Sequence, residues 1–119
     1  MNMDNIMKSN IGELSNKVSV TFRKTCYIRE YETEVIEAST EIVLDNPVSA
    51  TERMFISALL EAQMEYTAYV NLANKGLVTS SALAERRKEL ERTMDTIKYK
   101  AEQLYGVGYL DKYLTQEEV

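Results

Sequence analysis

From Val18 the chain alternates. Val18, Val20, Phe22, Cys26 and Ile28 fall on one side, and Ser19, Thr21, Arg23, Thr25, Tyr27 and Arg29 on the other. A period of two predicts a half-buried strand over 18–28. The run pauses at Arg29-Glu30. A second run over 31–44 places Ile36, Ala38, Ile42 and Leu44 on one face, interrupted by Thr40, with Val35 and Val43 on the other. Two such runs a few residues apart predict a hairpin, although no Asn-Gly or Asp-Gly fixes its turn. Asp45-Asn46-Pro47 stops the second strand, because proline cannot donate to a ladder and Asp and Asn favour turns.

The period then lengthens to that of a helix. Ser49-Ala50-Thr51-Glu52 has the spacing of a capping box, and a helix is expected over 50–75, ending at Gly76. Its apolar residues are Phe55, Leu59, Ala62, Tyr66, Tyr69 and Ala73, with Ile56, Leu60, Val70 and Leu72 beside them. They cover more than one stripe, so contact on two sides is expected. Thr79-Ser80-Ser81 gives a second start, and Gly106 and Gly108 a second stop. Between them Leu83, Arg87, Leu90, Met94, Ile97, Ala101 and Leu104 recur at steps of four and three. That seam suits a coiled coil or an antiparallel helical hairpin equally. Tyr109, Leu110, Tyr113 and Leu114 predict one short docking turn.

The expected organisation is an arm over 1–17, a hairpin over 18–45, a two-helix region over 46–108 and a tail over 109–119. Together they form one α+β domain: an N-terminal antiparallel β-hairpin followed by two long α-helices. A two-stranded ribbon is marginal in water without further cover. With the broad apolar surface of the first helix, this predicts a homo-oligomer, most simply a two-fold dimer.

Composition narrows the chemistry. The 119 residues include 14 Lys and Arg against 19 Asp and Glu, a net charge of -5. Such a balance does not suit non-specific duplex binding, which needs clustered cations. There is no His, which removes Ser–His and Cys–His catalysis and most zinc sites. A single Cys forms no internal disulfide, and a reducing compartment is expected. No stretch approaches a membrane span and the N-terminus lacks a signal-peptide pattern, so a soluble intracellular protein is expected. No cofactor, metal or membrane partner is predicted.

Two cations interrupt the apolar pattern. Lys24 is in register with the inward side of the first strand, and Arg87 sits in the helical seam. Each needs a carboxylate, a bound anion or an escape to solvent. Arg86, Arg87 and Lys88 lie in the second turn of the second helix, where the dipole favours anions. Glu85, Glu89 and Glu91 are near enough to satisfy those arginines as ordinary surface pairs. Tyr27 and Tyr31 flank the hairpin turn beside Arg23 and Arg29, a combination suited to base stacking or to cross-strand pairing. Asn71 and Asn74 could read a base edge or cap the helix end. Glu32, Glu34, Glu37 and Glu41 divide between two faces of the second strand, with nothing to orient them as a catalytic pair. No enzyme activity is expected.

The run KVSVTFRKTCYIREYETEVIEAS, over 17–39, is similar to a recurring opening of small phage and prophage proteins. A strand carries Arg-Lys-Thr, a short turn follows, then Tyr-Glu and a second strand. With two helices after it, the layout resembles the Thoeris anti-defence family, the first of the phage "sponge" families. The resemblance implies an oligomer in the host bacterial cytoplasm. It would bind a small signalling nucleotide, of the cyclic ADP-ribose type or a cyclic oligonucleotide, without cleaving it, and so evade immunity. Family pockets take arginines from the sheet and from a partnering subunit's helix, which by position implies Arg23 and one or more of Arg86, Arg87 and Arg92. The expected ligand-binding set is therefore Arg23, Lys24, Tyr27, Arg86, Arg87, Arg92, Asn71 and Asn74. Two alternatives stand beside it: a single-strand nucleic-acid accessory protein, and a protein-binding inhibitor of a bacterial defence nuclease.

Overall fold

A computed structural model describes residues 17–114. The expected arm lies outside the described residues except for Lys17, and the end of the tail does too. The chain runs as strand β1 (Lys17–Arg29), strand β2 (Glu32–Val43), helix α1 (Ala50–Asn74), helix α2 (Ser80–Tyr105) and a 3-10 turn (Asp111–Tyr113). This is the expected α+β order.

β1 and β2 pair antiparallel, from Lys17 opposite Val43 to Arg29 opposite Glu32. One face of the ribbon packs inward: Val18, Val20, Ile36 and Leu44 are buried, and Phe22, Ala38 and Ile42 pack against them or against α1. The alternation forces the other face outward, where Val43 stays exposed. Ile28 is an extra residue in β1, because Tyr27 pairs with Thr33 and Arg29 with Glu32. The turn itself is Glu30-Tyr31, and Tyr31 holds φ 63. An aromatic residue in the left-handed region costs about 1–3 kcal/mol, since its Cβ crowds the backbone where glycine would not. Nothing in the hairpin's hydrophobic pattern announces that choice.

α1 starts as its sequence dictates. The Ser49 hydroxyl accepts from the Glu52 amide at 3.1 Å, and the Glu52 carboxylate accepts from the Ser49 amide at 3.0 Å. Ser49→Ala should cost about 1 kcal/mol, the usual loss for an N-cap hydroxyl, read as a lower midpoint in a thermal melt. α1 ends at Asn74, and Gly76 follows with φ 77, the geometry expected after a helix end. Ile56, Leu59 and Leu60 are completely buried. α1 touches both strands and α2, so its wide apolar surface is used on two sides.

α2 is capped by Thr79, whose hydroxyl accepts from the Ala82 amide at 3.0 Å. Its seam is only partly as expected. Leu90 and Ala101 are buried, and Leu83, Met94 and Ile97 half-buried, but Arg87 and Leu104 are 63% and 62% exposed. On a straight helix of period 3.6 a strict heptad fans out, and Arg87 and Leu104 fall on opposite flanks of the stripe. After Gly106 the tail docks: Leu110 is buried, and Tyr105, Tyr109 and Tyr113 stack in sequence with Phe55 at one end. Among the described residues no helix is long and apolar enough to cross a membrane.

Candidate anion site at Tyr69

Three elements meet at one tyrosine. Tyr69 lies on α1 in the smaller apolar cluster, with Ile36, Ala68 and Leu72 and against Phe22, Leu77, Val78 and Leu83. Tyr69 is 9% exposed, and its ring centroid lies 6.4 Å from that of Phe22. From β1, Lys24 donates to the Tyr69 hydroxyl at 3.2 Å, its ammonium 5.9 Å from the ring centroid. From α2, the Arg86 guanidinium lies 4.7 Å from the same centroid. Both contacts are cation–π in geometry, and the hydroxyl gives Lys24 an acceptor as well. Lys24 breaks the inward pattern of β1 for this reason: its stem crosses the apolar edge while its head reaches an aromatic hydroxyl and solvent.

Arg86 is also held by carboxylates, Glu65 of α1 at 3.6 Å and Glu89 of α2 at 3.1 Å. Its side chain remains 35% exposed. The Glu89 pair is solvent-exposed, and such pairs contribute about 0–1 kcal/mol. The arrangement sets an ammonium from the ribbon and a guanidinium from α2 against one aromatic ring. Among the described residues no group of three or more His, Cys, Asp and Glu is placed to hold a metal ion.

The other expected ligand residues are scattered. Arg23 faces away from Lys24, on the outer face of the ribbon, and pairs with Glu37 at 3.6 Å. Strand alternation puts adjacent residues on opposite sides, so Arg23 and Arg86 do not converge within one chain. Arg87 pairs with Glu91 at 3.3 Å and borders a different groove. Arg92 is exposed on α2, and Tyr27 is exposed near the hairpin tip. Asn71 and Asn74 line a separate shallow pocket with Val35, Glu37 and Lys75. The structure thus brings together Lys24 and Arg86 and leaves the remaining six apart.

Sequence reasoning missed the centre of the site. Tyr69 reads as an ordinary core residue, and its hydroxyl is what makes the inward Lys24 tolerable. A second polar cluster was also missed. Tyr109 donates a short hydrogen bond to Glu52, and the Lys112 ammonium lies 5.3 Å from the Tyr109 ring and 5.1 Å from that of Tyr113. The only sequence signal for it was the tyrosine at every fourth position, Tyr105, Tyr109 and Tyr113.

Comparison of the chain with protein-family models, curated proteins and solved structures returns no match.

Proposed function

We propose that this protein is a non-catalytic binding protein that captures a small phosphate-bearing nucleotide, as the resemblance to the Thoeris anti-defence sponges implies. In this reading it withholds the signal intact, counters a host defence pathway, and works as a homo-oligomer in the bacterial cytoplasm. The observation that supports it is the convergence of Lys24 and Arg86 on Tyr69. Cations from a strand and a helix, both in reach of solvent, contact the same tyrosine ring. Arg23, on the opposite face, would contribute only across a subunit contact.

The test is calorimetry with cyclic ADP-ribose-type nucleotides and cyclic oligonucleotides, with inorganic phosphate as control. Lys24→Ala and Arg86→Ala should each weaken binding by about 1.5–3 kcal/mol, the range for hydrogen bonds to charged groups. Circular dichroism melts report whether the fold survives each change. Nucleotide released by heat should be chromatographically intact. No binding across the panel, or unchanged affinity in the Lys24→Ala/Arg86→Ala double variant, would remove the proposal. Salt-sensitive retention of a labelled oligonucleotide would instead favour the single-strand reading.

A further inference from the structure

We propose that the N-terminal arm packs onto its own chain as a third helix, over residues 3–11, laid antiparallel to α1 in the groove between α1 and α2. This inference concerns packing and does not rest on nucleotide capture at Tyr69. The groove has a volume of ≈ 590 Å³. α1 lines it with Gln63, Tyr66, Thr67 and Val70, and α2 supplies Leu90 and Met94. Steps of three and four along α1 are those by which one helix presents a stripe to another. A floor made of two such stripes suits a docked amphipathic helix.

The arm carries the matching pattern. Met3, Ile6, Met7 and Ile11 share one helical face with Asn10, while Asn5, Ser9 and Gly12 fall opposite. Asn2 and Asp4 suit a helix start, and Gly12 a stop. Read antiparallel, Met3, Ile6, Met7 and Asn10 mirror Val70, Thr67, Tyr66 and Gln63 step for step. That register sets the Asn10 amide against Gln63. The Gln63 side-chain oxygen is buried without a hydrogen-bond partner among the described residues. A buried acceptor of this kind calls for a donor.

Reach selects the arm of the same chain. Arg53 donates through Nη1 to the Lys17 carbonyl, which fixes the root of the arm beside the start of α1. Its Nη2 is buried without an acceptor among the described residues. The two orphaned atoms, one at the root and one in the groove, mark both ends of a single path. From Arg53 to Gln63 α1 rises about 15 Å. Residues 12–17, extended, span about 17 Å and cover that offset. Residues 3–11 then supply about 13 Å of helix for the roughly 10 Å between Gln63 and Val70. The tail fits less well, although Leu114 borders the groove. Residues 115–119 bring one aliphatic side chain, Val119, and two carboxylates to a rim that already holds Glu91 and Asp95.

The experiment uses the full chain. Benzoylphenylalanine in place of Met7 is irradiated in a mixture of isotopically light and heavy protein. The adduct should lie within one chain and map to the peptides carrying Gln63 to Val70 or Leu90 to Met94. The same probe in place of Glu117 should not capture those peptides. Thermal melts then test the helical face. Met7→Asp should lower the midpoint by roughly 5 °C or more, because it puts a charge into the groove. Asn5→Asp, the same acid on the opposite face, should shift it by no more than about 2 °C. No adduct, an adduct elsewhere or between light and heavy chains, capture of the groove from position 117, or equal midpoints for Met7→Asp and Asn5→Asp would each overturn the inference.

Discussion

Leu59→Ala should lower stability by about 2.7–5 kcal/mol, a large fraction of the about 5–15 kcal/mol that holds a typical domain folded. Leu59 is 0% exposed and belongs to the larger apolar cluster, where the ribbon, α1, α2 and the docked tail all meet. Truncation removes the transfer energy of the lost methyl groups and leaves a cavity. The surroundings have little freedom to close that cavity, because Ile56 and Leu60 on the same helix are already fully buried. Urea unfolding followed by circular dichroism measures the change, as a lower midpoint at an unchanged slope. A loss below about 1 kcal/mol, the level of an exposed substitution, would show that the cluster is looser than its burial implies. By contrast, Leu104→Ala on the exposed end of α2 should change stability by no more than about 0.5 kcal/mol, since that side chain is 62% exposed and little packing is lost.

The contrast between those two leucines shows what the chain displays openly. The hairpin, both helices and their caps follow from local chemistry: alternation at Val18, Val20 and Phe22, the Ser49–Glu52 box, Thr79 before Ala82, glycines after each helix. Each of these signals acts within a few residues. The seam of α2 did not follow so well, since reading it on a heptad selects Arg87 and Leu104, whereas the true helical period rotates both toward solvent. The candidate site was least legible. Arg23 and Lys24 are neighbours in sequence but point to opposite faces, and Arg86 and Arg87 are separated by the rotation of one helical residue. Which member of each pair meets Tyr69 is decided by how α1 lies on the ribbon and on α2. That is a long-range property, carried by Ile36, Ala68 and Leu72, and no spacing rule contains it.

The Tyr109–Glu52 contact should make the fold sensitive to pH at both ends of the scale. Tyr109 donates to the same carboxylate whose other oxygen caps α1 through the Ser49 amide, so one side chain ties the tail to the helix start. The bond from Tyr109 chiefly, and then those from Ser49, hold Glu52 below its ordinary value of 4.5. Burial chiefly, and then the bond to Glu52, push Tyr109 well above its ordinary value of 10.0. The signs follow from linkage. A depressed carboxylate contributes stability that is present above its unfolded value and is lost as pH falls through the folded one. A raised phenol contributes stability that is present below its unfolded value and is lost as pH rises through the folded one. The stabilisation is therefore fully present between roughly pH 5 and 10, the span between the two unfolded values, and declines on either side toward the folded values. Tyr109→Phe should cost about 1.5–3 kcal/mol inside that window, the range for a hydrogen bond to a charged group. Glu52→Gln should cost a comparable amount, because it removes the charge from both the helix start and the tyrosine. Melting midpoints taken across the acidic limb should fall more steeply for the wild type than for Glu52→Gln, since the variant has no carboxylate to protonate at this position. Parallel acid limbs in the two proteins would show that Glu52 titrates alike in the folded and unfolded chain, and that the tyrosine bond contributes nothing to holding the tail.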